Sequence, residues 1–165
     1  MNVNDAEPRL RERILLKGNL KREQIDHNER GVAIMSRPLV DAEIEGKRVN
    51  AILDTGAWRS YIRSELAKEF PVVPVQPFEV KLGGGTFSVK EGRLISGMIK
   101  DTEGRAYQFG NVLYPISDLG QENGKKIDLL FGAVILEDWG AIINEGTIPP
   151  QVDYYRLRKG ELTEL

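Results

Sequence analysis

The chain has no cysteine, so it can build no disulfide framework, no thiolate nucleophile and no cysteine-ligated zinc or iron–sulfur centre. It has one histidine, His27. A Ser-His-Asp triad would have to use that residue, and a multi-histidine metal site would need several chains. Long apolar runs are also missing: the stretch from Leu129 to Leu136, with Gly132 inside it, is far short of the ~20 residues that span a bilayer. Near the N-terminus, Ile14-Leu15-Leu16 among Arg9, Arg11, Glu12 and Arg13 is too short and too charged for a secretory signal. The expectation is a cytoplasmic protein with no membrane partner. An excess of positive charge is lacking too, with 23 Lys+Arg against 25 Asp+Glu and a net charge of −2. No global basic field draws in a phosphate backbone, so nucleic acid is not an expected partner. Acid–base chemistry falls mainly to carboxylates.

At 165 residues the chain fits one domain of the usual ~100–200 residues, with a core of its own. Residues 1–30 form a charge-dense extension with imperfect helical spacing, helical or mobile, and 31–165 form the domain. From Val40 to Leu53 apolar and polar residues alternate on both sides of Gly46-Lys47, which predicts a β-hairpin. Ser64 to Phe70 predicts a short helix stopped by Pro71, and Pro74 and Pro77 keep the next stretch extended. Phe78 to Leu82 and Phe87 to Val89 flank Gly83-Gly84-Gly85, a bent and mobile hairpin tip. Leu94 to Ile99 and Tyr107 to Leu113 flank the exposed turn Asp101-Thr102-Glu103-Gly104. Ile127 to Phe131 reads as a strand, Ala133 to Trp139 as a helical turn, and Ala141 to Ile143, Val152 to Leu157 and Glu161 to Leu165 as strands. The sum is a mostly-β, barrel-like domain with one or two short helices.

The informative residues are Asp54-Thr55-Gly56-Ala57, where the strand ending at Leu53 must turn. Two aspartates about 3 Å apart cannot both ionise, so one keeps its proton; the pair then activates water as base and protonates a carbonyl as acid. Thr55 can brace the neighbouring backbone and Gly56 permits close backbone approach. The chain contains one Asp-Thr-Gly. Carboxylate-pair catalysis therefore requires a second chain, in a two-fold homodimer whose Asp54 loops meet at the axis.

In order along the chain, Ile52-Leu53-Asp54-Thr55-Gly56-Ala57 with Ser60 behind it, the glycine-rich hairpin Leu82-Gly83-Gly84-Gly85-Thr86-Phe87, and Asp128-Leu129-Leu130-Phe131-Gly132-Ala133 resemble the landmarks of the retropepsin family. These are the retroviral-type aspartic proteases and their cellular relatives. The resemblance implies a closed β-barrel of the acid-protease fold and a homodimeric aspartic endopeptidase acting on extended peptides or proteins, with no metal or organic cofactor. It implies that Asp54 is the catalytic carboxylate, Thr55 grips the partner loop, Gly56 accepts the substrate backbone, and Leu82 to Phe87 form a flap. Leu130, Phe131 and Gly132 would support the loop. Trp58 and Arg59 stand where retroviral members carry smaller or acidic residues, and Ala133 stands where those enzymes carry an arginine. The alternative is a catalytically silent dimeric module of the same fold that binds an extended peptide by strand addition or serves as a scaffold.

Overall fold

The computed structural model describes residues 37–160. The expectations for residues 1–30 and for a strand from Glu161 to Leu165 lie outside the described residues.

Alternation of small apolar and charged residues builds the first hairpin, β1 (Leu39–Ile44) and β2 (Lys47–Leu53), in antiparallel register from Leu39 opposite Ile52 to Ile44 opposite Lys47. The turn itself is Glu45-Gly46, both at positive φ, so Lys47 already belongs to β2. There follow β3 (Tyr61–Arg63), α1 (Ser64–Ala67), β4 (Val72–Leu82), β5 (Gly85–Lys100), β6 (Ala106–Ile116), the small ribbon β7 (Gln121–Glu122) and β8 (Lys125–Lys126), β9 (Leu129–Phe131), α2 (Ala133–Asp138), β10 (Ala141–Asn144), β11 (Gln151–Tyr154) and α3 (Tyr155–Lys159).

Hydrogen bonding runs β1-β2-β9-β3-β6-β5, and a further β1–β5 pairing, Ala42 opposite Ile99 and Glu43 opposite Met98, closes the six strands into a barrel. The retropepsin-like closed barrel expected from the sequence is thus the architecture observed. Closure leaves those strands without open edges. β4 lies outside as an edge strand paired to β5 alone, which is where Pro74 and Pro77 are tolerated, because proline has no N–H for a second neighbour. The β4–β5 register shifts between Pro74 and Phe78.

Within β2 and β9 neighbouring residues serve two cores, because successive side chains point to opposite faces. Ala51, Leu53, Leu129 and Phe131 join the main core with Trp139 and Tyr154. Ile52 and Leu130 join a second cluster beneath the β4–β5 hairpin. In the main core the Phe131 and Trp139 rings are 4.8 Å apart and Trp139 meets Tyr154 edge-on at 5.6 Å.

Four local expectations are corrected. Among the described residues there are three short helices, where the sequence predicts one or two. The strand expected from Val152 to Leu157 ends at Tyr154, because Tyr155 N and Arg156 N donate to the carbonyls of Gly140 and Trp139 and wind the chain into α3. The glycine-rich tip is Gly83-Gly84 alone, with Gly85 opening β5. Asp101, expected on an exposed turn, is buried: it accepts from Glu103 N, Arg105 N and Arg105 Nε. A carboxylate saturated in this way holds the turn from inside.

Candidate active site

Parallel pairing of β2 with β9 sets Leu53 opposite Phe131, and the next link, Asp54 N to Phe131 O at 2.9 Å, carries the chain off the sheet at the carboxylate. Oδ1 of Asp54 accepts from Gly56 N at 2.9 Å, and Ala57 N donates to Asp54 O at 3.2 Å. These bonds form the tight side-chain-braced turn that aspartate favours. Oδ2 faces the Arg37 guanidinium, whose Nη1 is 3.4 Å away. The carboxylate keeps 23% of its exposure, so it is held in place and still reachable from solvent.

The returning half of the loop is clamped by the segment that opens α2. A helix N-terminus leaves backbone N–H groups without intrahelical partners. Here Ala133 N donates to Ala57 O at 2.7 Å and Val134 N to Trp58 O at 3.4 Å. One residue earlier, Gly132 N donates to the buried Ser60 Oγ at 2.8 Å. A Cβ on Gly132 would drive into the carbonyl oxygens of Arg59 and Ala57, so only glycine lets loop and strand approach this closely. Ser60 O accepts from Tyr114 N of β6 at 3.0 Å, which fixes the loop's exit.

The β4–β5 hairpin turns at Gly83 and Gly84, with φ of +55° and +82° and open space around both. Leu82 closes the ladder opposite Gly85, and Lys81 lies opposite the exposed Thr86. The inward side chains Phe78, Val80, Leu82 and Phe87 pack on the second cluster, the one that Ala57 and Tyr114 also join. Ala57 of the Asp54 loop, Leu130 and the hairpin's apolar face thus share one cluster, while Phe131 faces the main core and Thr55 is half-buried in the turn. The Gly83-Gly84 tip itself is exposed.

Several contacts here escape the sequence. Arg37 bridges Asp54 to Glu122 of β7, giving Nε and Nη2 to Glu122 Oε2 at 3.3 and 3.2 Å while its backbone N donates to Oε1. No spacing rule flags an arginine ahead of a strand. Asp128 is buried just ahead of β9 and ties β2 to β3: Oδ2 accepts from Asn50 N of β2, and Oδ1 accepts from Nε and Nη2 of Arg63 on β3. Arg59 stacks over the Phe78 ring, its guanidinium carbon 4.1 Å from the centroid. Tyr61, buried beside it, has its phenol pushed up by burial, with the nearby Arg59 charge pulling the other way. Among the described residues no group of three or more His, Cys, Asp or Glu is arranged to hold a metal ion, and no helix is long and apolar enough to cross a membrane.

A family model described as aspartyl protease matches residues 40–133, more than half of the chain. The chain belongs to the aspartyl protease family. The match runs from β1 through the Asp54 loop and the hairpin to the first residue of α2. No curated protein matches the chain. Among solved structures, one that is similar is the foamy viral protease-reverse transcriptase in complex with an RNA/DNA hybrid, at 14% identity and a TM-score of 0.40, covering 59% of this chain. The chain spans 11% of that protein's length.

Proposed function

We propose that this aspartyl protease family member is a homodimeric endopeptidase in which Asp54 of two chains forms the catalytic dyad and the β4–β5 hairpin folds over an extended peptide. The observation that carries the reading is Asp54 itself: a partly exposed carboxylate at a strand end, with Oδ1 fixed by Gly56 N and its loop pinned to Gly132 and Ala133. One such carboxylate per chain is half of a proton-sharing pair.

In this mechanism the ionised member of the pair takes a proton from a water molecule as the water oxygen attacks the peptide carbonyl carbon. The protonated member gives its proton to the carbonyl oxygen. The tetrahedral diol then collapses: a proton passes to the amide nitrogen, the C–N bond breaks, and a carboxylic acid and an amine leave. Thr55 would reach across the axis to the partner loop, and Gly56 would take up substrate backbone.

A second reading is favoured by one contact. The Arg37 guanidinium stands at Oδ2 of Asp54, and a carboxylate neutralised in this way suits a silent peptide-binding or scaffold module. Asp54→Asn separates the two. An endopeptidase loses ~10²–10⁴-fold in turnover, the usual loss when acid–base catalysis is removed, with peptide binding retained. A silent module shows no hydrolysis in either form and the same binding in both. Specific activity that falls more steeply than in proportion on dilution would support the dimeric dyad; full specific activity in a monomer would overturn it.

A further inference from the structure

We infer that Arg59 forms a subsite for an anionic side chain, so that the extended peptide taken along the hairpin's apolar face is selected for an Asp or Glu seated against this guanidinium. The inference deepens the proposed function and rests on it for placing a peptide in the cleft.

Position comes first. Arg59 lies on the same loop as Asp54, between β2 and β3. Its backbone cannot drift, because Trp58 O is held by Val134 N and Ser60 is held through Oγ by Gly132 N and through its carbonyl by Tyr114 N. The residue is exposed, and a selection made here acts close to the reacting bond.

The second point is what the guanidinium is doing. Stacking over Phe78 uses its flat face and the Tyr61 hydroxyl takes up one side of it, which leaves the remaining in-plane N–H donors of the fork for a carboxylate. Arg37, Arg48, Arg63, Arg93, Arg105 and Arg158 all pair with carboxylates of their own chain. Among the described residues Arg59 and Arg156 have no such pair, and of these two Arg59 is the one on the Asp54 loop. It is a rigidly mounted cation on an aromatic plate at the edge of an apolar surface. A carboxylate arriving there meets a partner already held against an aromatic face, so less ordering is left to be done on binding.

The third point is the surroundings. Phe78, the plate under Arg59, belongs to the same partly buried apolar set as Ala57, Val80, Leu82 and Phe87. The complementary substrate is an extended segment with an acidic residue flanked by apolar ones.

The test uses the full chain and a library of short synthetic peptides with randomised apolar residues, carrying Glu, Gln or Lys at one scanned position, with cleavage read by mass spectrometry. At one position Glu peptides should exceed Gln peptides by about tenfold in kcat/KM, the discrimination that roughly 1.4 kcal/mol provides. Arg59→Glu should reverse the order towards Lys, and Arg59→Lys should keep a reduced Glu preference. Should Arg59→Glu fail to fold, Arg59→Gln takes its place and must erase the preference. Equal cleavage of Glu and Gln peptides at every position, or a Glu preference that survives loss of the charge, overturns the subsite. If no peptide is cut, the same library is scored for retention on the immobilised chain. Glu-dependent retention lost in Arg59→Glu then upholds the subsite while the hydrolytic reading fails, and retention indifferent to Glu overturns the subsite.

Discussion

Arg37 and Asp54 meet at 3.4 Å, and the same guanidinium holds Glu122, a side chain with only 14% of its surface exposed. The β7–β8 ribbon is thereby tied to the Asp54 turn through one arginine. Removing Arg37 leaves a mostly buried carboxylate without its charged partner, which costs about 1–3 kcal/mol. Arg37→Ala should lower the urea midpoint accordingly, and the double change Arg37→Ala with Glu122→Ala should cost less than the sum of the two single changes. Strict additivity would show that the bridge does not form in solution.

The Gly132 contact separates packing from hydrogen bonding. Gly132→Ala forces a methyl group against two backbone carbonyls, and overpacking of this kind typically costs about 1–3 kcal/mol. It must also push the Asp54 loop outward, so peptide hydrolysis should fall further than stability does. Ser60→Ala leaves Gly132 N without its acceptor and keeps the space intact. Thermal midpoints and kcat/KM for both variants check this: equal losses of activity would mean that loop position does not matter.

Gly84 and Gly104 form a matched pair. Their φ values are +82° and +81°, and a Cβ added to either would meet no atom within 4 Å. Valine at either site therefore meets the same backbone strain with the same open surroundings. The two variants should lose similar stability, whereas only Gly84→Val should lose kcat/KM, because a closing hairpin has to bend there. Equal activities would remove the flap role from the Gly83-Gly84 tip.

Tyr154 sets an alkaline limit. Its phenol is buried and donates to Lys100 O at 3.3 Å; burial first, and Asp101 second, push it far above the usual phenol range. The folded state keeps this proton where the unfolded chain gives it up above about pH 10. The stability it contributes is therefore complete below that pH and is lost as pH rises further. Tyr107, also pushed up chiefly by burial, adds to the same limb. Tyr154→Phe should be less stable at neutral pH by about 0.5–1.5 kcal/mol for the lost hydrogen bond, and its decline above pH 10 should be shallower. An unchanged alkaline slope would contradict the burial of this hydroxyl.

What the sequence reveals here is local. The β1–β2 hairpin is legible because period-two alternation and a glycine turn specify it without outside help. The helix after Gly132 is legible because its apolar residues keep helical spacing. Tyr154-Tyr155-Arg156-Leu157 misleads because the residues favour a strand, while two carbonyls left at the end of α2 draw Tyr155 and Arg156 into a turn of helix. Asp101 misleads because a charged turn looks exposed until the donors that surround it are known. At the site, Asp54-Thr55-Gly56 can be read from its motif. Arg37 and Glu122 cannot, nor can the partners of Asp128, since these contacts join segments far apart along the chain and leave no periodic trace.

The bond from Gly132 N to Ser60 Oγ spans 72 positions. During synthesis the Asp54 turn is therefore exposed to the cell well before the strand and helix that hold it have been made. Until residues 129–134 are available, β2 lacks its parallel neighbour β9 and the loop carbonyls lack the donors of α2. The geometry of the Asp54 loop is a late product of chain growth. A nascent or truncated chain carrying the whole Asp-Thr-Gly motif but ending ahead of β9 would have the carboxylate without its mount, and under the proposed function it would be unable to cut the polypeptides crowded around it.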